Sequence, residues 1–183
     1  MKTFIALFRG INVGGAGILP MKDLVVILET LDLRDVKTYI QSGNVVFRST
    51  EEDPSRVSSR ISAEIRKCFG FEPQVLLLDS AEMKEAIEAN PFPEAESEPK
   101  TLHLSFLASV PENPDLQALE DLKKDSERFS LKGSVFYLHA PEGIGRSKLT
   151  ANIEKLLGVA ATSRNWRTVT SIMALARSSG SPG

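Results

Sequence analysis

The chain has one cysteine, Cys68, in 183 residues. A lone thiol closes no internal disulfide and builds no zinc cluster, so packing must hold the fold. Cys68 falls on the apolar stripe of an expected helix, where a thiol is inert. Long apolar runs are also missing. None approaches the ~20 residues that cross a bilayer, and Phe4 to Phe8 is too short for a secretory signal and lacks its flanks. A cytoplasmic protein without a membrane partner is expected. Net charge is small, with 22 basic residues against 24 acidic ones. That balance argues against a protein whose main task is coating nucleic acid.

What is present describes a globular chain. Hydrophobic residues make up 42% and charged residues 25%, enough to bury a core without a metal or disulfide. The charge is uneven. Acids crowd Glu82 to Glu98, and bases dominate from Arg146 onward, so a local basic patch on a near-neutral body is expected.

The chain opens with an apolar strand to Phe8. A glycine-rich loop follows, Arg9-Gly10-Ile11-Asn12-Val13-Gly14-Gly15, and then a helix from Pro20. Strands are expected at Val36–Gln41 and Asn44–Ser49, joined by a Ser42-Gly43 hairpin whose polar residues read as turn chemistry. Asp53-Pro54 starts a second helix, with an acid to cap it and proline in its first turn. Val75–Leu78 is a fourth strand, apolar throughout like the first, so both are expected to be covered on two faces. Asn90 to Lys100, rich in proline and glutamate, reads as a linker. The order then repeats: a strand at Thr101–Ala108, a helix after Asn113-Pro114, and a hairpin around Gly133. A helix over Ser147–Leu157 ends at Gly158, and a last helix covers Asn165 to Arg177.

This predicts an α+β protein of two ferredoxin-like βαββαβ repeats with antiparallel sheets, packed as one compact unit. The first repeat with a following short helix spans residues 1–90, and the linker spans 91–100. The second repeat with its terminal helix spans 101–177, and a disordered tail spans 178–183. In such a repeat the loops after the first and third strands are expected at one end of the sheet and the hairpin at the other. The opening loop and Ser42–Asn44 would then lie apart. In the second repeat the same reasoning puts Gly143–Lys148 with Val110–Pro114, and Arg164 nearer the hairpin.

Four stretches closely resemble the motifs of the family known as domain of unknown function 1697. They are Arg9 to Gly15, Tyr39-Ile40-Gln41-Ser42-Gly43-Asn44-Val45-Val46-Phe47, Asn90-Pro91-Phe92, and Thr162-Ser163-Arg164-Asn165-Trp166-Arg167-Thr168-Val169. They occur in order over nearly the whole chain. The resemblance implies a bacterial-type cytoplasmic protein of two ferredoxin-like halves. It implies no catalytic residues to carry over.

Candidate sites therefore come from residue chemistry. Arg9, Asn12 and the N–H groups of Gly14 and Gly15 suit a phosphate or carboxylate, because glycines let the backbone aim its donors. The spacing is not a dinucleotide fingerprint. Arg146, Ser147 and Lys148 place a cap and two bases at a helix N-terminus, but the lysine and serine stand in the wrong order for a phosphate loop. Arg164, Asn165 and Arg167 flank Trp166; Asn165 suits an N-cap, and the arginines suit phosphate. Alternation also predicts that His103, Ser105, Tyr137 and His139 share one sheet face, an RNA platform of the kind some ferredoxin-like domains use. No nucleophile elbow, paired acids or metal spacing supports an enzyme. The leading expectation is a binding protein for an anionic, phosphorylated or nucleotide-like small ligand, with an RNA-binding module or an enzyme of unassigned reaction as alternatives. Nothing in the residues points to a metal, a particular cofactor or an oligomeric state.

Overall fold

A computed structural model describes residues 1–179. The elements run β1 (Lys2–Arg9), α1 (Met21–Thr30), β2 (Arg34–Tyr39), β3 (Asn44–Ser49), α2 (Pro54–Phe69), β4 (Gln74–Asp79) and α3 (Ser80–Glu88). A 3-10 turn at Pro93–Ser97 follows. Then come β5 (Leu102–Leu107), α4 (Leu116–Leu122), β6 (Arg128–Lys132), β7 (Val135–His139), α5 (Lys148–Leu157), β8 (Ala161–Asn165) and α6 (Trp166–Ser179). Two four-stranded antiparallel sheets result, ordered β2-β3-β1-β4 and β6-β7-β5-β8. Each half therefore has the expected βαββαβ order, and the duplication extends to the pairing.

The chain divides into two units. The first holds Met1–Glu85 together with the chain from Thr170 onward, and the second holds Ala86–Val169. In the first unit Phe4, Ala6, Phe8, Val45, Phe47 and Leu77 share the sheet face that α1 and α2 cover, through Leu24, Leu28, Val57, Ile61 and Ile65. The other face carries Ile5, Leu7, Asn44 and Val46, also fully buried. The unbroken apolar run of β1 is thus that of a central strand buried on both sides. The like expectation for Val75–Leu78 fails. β4 is an edge strand, and only Leu77 in that run is buried.

Local chemistry sets the helix ends as expected. The Asp53 side chain accepts from the Ser55 N–H at 2.9 Å, with Pro54 in the first turn, and α2 stops at a left-handed Gly70. Ser147 caps α5 through the Thr150 N–H, and Gly158 ends it. On α2 the stripe is shorter than expected. Cys68 and Phe69 are exposed.

The second unit repeats the layering. Leu107, Phe136 and Leu138 pack under Leu119 of α4 and under Leu149, Ile153 and Leu157 of α5. Residues 161–165, between two expected helices and reaching the start of the second, form the edge strand β8 against β5. The stretch expected as a linker is docked structure. Phe92 and Ala95 are buried. Tyr137 Oη donates to the Ala86 carbonyl at 2.6 Å, and Lys132 Nζ donates to that of Ala89 at 2.7 Å. Arg128 pairs with Glu94 and lies over the Phe92 ring, 4.7 Å from its centroid. Tyr137→Phe leaves a buried carbonyl without its donor, so we expect a loss of about 1–2 kcal/mol in a denaturant titration. Of the tail expected at Ser178–Gly183, Ser178 and Ser179 complete α6, and residues 180–183 lie outside the described residues.

Candidate functional site

Strand direction overturns the expected placement of the loops. β3 runs antiparallel to β1, with Leu7 opposite Asn44, so the start of β3 stands beside the end of β1. The β1–α1 loop, the β2–β3 turn and the α2–β4 link therefore meet at one end of the first sheet. The Phe8 N–H donates to the Gly43 carbonyl at 2.8 Å. The second unit has the equivalent bond, Leu107 N–H to the Ser134 carbonyl at 2.8 Å, between the corresponding strand end and turn. There too the expectation reverses. Gly143–Lys148 lies at the end opposite the β5–α4 loop, and β8 carries Arg164 and Asn165 toward that same opposite end, where His103 faces Asn165.

Asn12 organises the loop end of the first unit. Its φ of 54° is left-handed, a conformation asparagine tolerates better than most residues. Its side chain donates to the Leu19 carbonyl at 2.8 Å and to that of Gln41 at 3.2 Å, and accepts from the Leu19 N–H at 2.8 Å. One amide thus closes the loop base and ties it to the neighbouring turn. Between those ties the chain makes a small hairpin, with Asn12 N–H to the Gly17 carbonyl at 2.9 Å and Ala16 N–H to that of Val13 at 3.1 Å. Gly14 and Gly15 form its tip at φ 59° and 76°, exposed, with open space where side chains would stand.

Two other glycines are needed for close packing. A Cβ on Gly17 would overlap the Gly10 carbonyl oxygen and press on the Phe71 ring. One on Gly43 would stand 2.6 Å from Phe8 Cβ and 2.7 Å from Ile11 Cδ1. Ile11 is buried, so the loop is clamped at its base and open at its tip. Arg9 is exposed beside it, with Nη1 donating to Gln74 Oε1 at 3.3 Å. Ile40, in the turn, has φ 51°, a strained conformation for a β-branched residue.

The remaining candidates lie in the second unit. Arg146 and Lys148 are exposed beside the Ser147 cap. Asn165 Oδ1 accepts from the Thr168 N–H at 2.9 Å, so it caps α6 as expected, and Arg167 is exposed. Burial pushes the Arg164 guanidinium down to about 10, which leaves it cationic at neutral pH. Its Nη1 donates to the Ser163 carbonyl at 2.9 Å.

The expected RNA platform does not exist as drawn. Opposed residues on paired strands share a face, and Leu104 pairs with Tyr137 while Ser105 pairs with Phe136. His103 and Ser105 therefore lie on the helix-covered face, and Tyr137 and His139 on the other. Ser105 and Tyr137 are both buried, and the Ser105 hydroxyl bonds that of Ser163 at 2.5 Å. Alternation misleads on β5, because its apolar residues Leu102, Leu104 and Phe106 are buried on the face away from α4 and α5.

Both histidines titrate below their ordinary value of 6.5. Burial is the main cause for His103, opposed by a hydrogen bond to the Lys100 backbone. For His139 it is burial and then Arg128, opposed by Glu94 and Glu98. A depressed folded-state value favours the neutral ring. The stability it contributes is complete above 6.5 and is lost as pH falls through the folded value. We expect the urea midpoint to decline as pH falls below 6.5, and His103→Gln to flatten that decline.

Among the described residues no cluster of histidine, cysteine and carboxylates can hold a metal, and no helix is long and apolar enough to cross a membrane. The arrangement is an α+β scaffold with a clamped glycine loop at one sheet end. Comparison with known proteins agrees with the scaffold. The chain belongs to the family described as protein of unknown function (DUF1697), whose profile matches residues 1–137. It is similar in fold to the structure titled conserved bacterial protein SP0830 from Streptococcus pneumoniae, with a TM-score of 0.70 and 23% identity, over 96% of this chain and 98% of that one. No curated protein matches the sequence.

Proposed function

We propose that the loop end of the first unit binds a small anionic ligand, a phosphorylated or nucleotide-like molecule. The observation that carries this reading is the clamped loop. Asn12 and the Ile11–Gly43 contact hold the base of the loop, which supports a preorganised, exposed Gly14-Gly15 tip, and exposed Arg9 at the loop's start supplies a cation. Rigid donors lose little freedom on binding. The bases around Ser147 support the reading less well, since Ser147 itself satisfies a helix N–H there.

Thermal unfolding with phosphate, pyrophosphate and adenosine monophosphate tests it. Stabilisation is expected to vanish in Arg9→Ala and to persist in Lys148→Ala. A melting temperature unmoved by all three anions ends the proposal, and loss in Lys148→Ala alone moves the site to the second unit.

A further inference from the structure

The same loop end carries an apolar surface that a purely ionic site does not need. Eight large hydrophobic residues stand exposed among the described residues, and three of them, Val13, Ile18 and Ile40, belong to this loop and turn, at 67%, 66% and 54% exposure. Asn12 links all three. Val13 follows it in the chain, Ile18 precedes its partner Leu19, and Ile40 precedes its partner Gln41. Consecutive Cα atoms are about 3.8 Å apart, so all three residues stand one position from a single hydrogen-bonded hub. Ile40 is the strongest indication. Glycine, asparagine or aspartate would occupy φ 51° at lower cost, yet the position holds an exposed β-branched side chain. The strain obtains no buried packing in return.

Resting on the anion-site reading above, we infer that the ligand is a phosphate ester bearing a flat or apolar organic group, an aryl phosphate or a nucleotide, rather than an ester whose organic part is wholly polar. Its phosphate meets Arg9 and the glycine tip, and its organic group covers Ile40, Val13 and Ile18. Covering exposed aliphatic side chains adds affinity in proportion to the apolar area removed from water. Arg9 supplies the charge complementarity that selects an anionic occupant over a neutral apolar one.

Calorimetric titration of the full chain with inorganic phosphate, glycerol phosphate and phenyl phosphate tests this. Phenyl phosphate is expected to bind about tenfold tighter than the other two, because shielding one side chain's worth of apolar surface is worth at least that factor. Ile40→Asn suits the left-handed backbone, so it is expected to fold with a raised melting temperature. It should weaken phenyl phosphate about tenfold more than it weakens inorganic phosphate. Val13→Ser, outside the strained turn, should act in the same direction. Equal affinity for all three ligands overturns the inference and leaves the anion site standing. Tight phenyl phosphate binding that neither variant disturbs places the organic group elsewhere, which also overturns it. If no ligand binds, both readings fail together.

Discussion

Gly43→Ala is expected to destabilise the first unit by about 3 kcal/mol, one of the largest effects of any single-methyl change in the chain. Two costs add. At φ 74° an alanine Cβ opposes the backbone by about 1 kcal/mol. The methyl would also stand 2.6 Å from Phe8 Cβ and 2.7 Å from Ile11 Cδ1. Phe8 Cβ is fixed to a central strand and cannot retreat, so the turn must move, and overpacking of this kind costs about 1–3 kcal/mol. The movement would stretch the 2.8 Å bond from the Phe8 N–H to the Gly43 carbonyl and lift the turn off Ile11. Urea unfolding should show a lower midpoint with an unchanged slope. Gly133→Ala is the internal control. It sits in the equivalent turn of the second unit at φ 56° with nothing near its Cβ position, so only the backbone cost applies. Equal losses in the two variants would mean that crowding against Phe8 and Ile11 adds no cost.

That pair of glycines shows how far the sequence could be read. Both hairpins were visible in it, since glycine between two alternating runs marks a turn. Caps were visible for the same kind of reason: Asp53, Ser147 and Asn165 each offer an oxygen just before a helical run. Features that depend on partners in space were not. β8 is a short edge strand, Ala161-Thr162-Ser163-Arg164-Asn165, with polar residues on both faces, and only its pairing with β5 makes it a strand. The phase of β5 was hidden because the face away from the helices is buried too, so His103 and Ser105 were expected beside Tyr137 and His139. The docking of Phe92 under Arg128 cannot be seen in a segment whose prolines and glutamates look like a linker. The meeting of the Arg9 loop with the hairpin was within reach of topology alone. It required only that β3 run antiparallel to β1, which any βαββαβ sheet in this strand order demands. The left-handed Ile40 had no local mark, because nothing about isoleucine announces that conformation.

The candidate site depends most on a residue that touches no ligand in the proposal. Asn12→Ala is expected to cost about 2–3 kcal/mol, and to do so by unfastening the loop rather than by opening a cavity. Three hydrogen bonds go at once, two of them to Leu19 and one to Gln41. Each contributes about 0.5–1.5 kcal/mol, less for the exposed one to Gln41, and alanine tolerates φ 54° poorly. Asn12→Gly separates these terms, since glycine accepts the backbone and loses only the side-chain bonds. Asn12→Asp keeps the acceptor for the Leu19 N–H and removes both donors. Losses should therefore rank alanine above glycine, with aspartate the smallest unless its charge repels the two carbonyls it then faces. Hydrogen exchange at the amides of Asn12 and Ala16, which close the small hairpin, should accelerate in all three variants. If exchange there stays slow while global stability falls, Asn12 supports the core and not the loop. The preorganisation on which anion binding is proposed would then have to come from the Ile11–Gly43 contact alone.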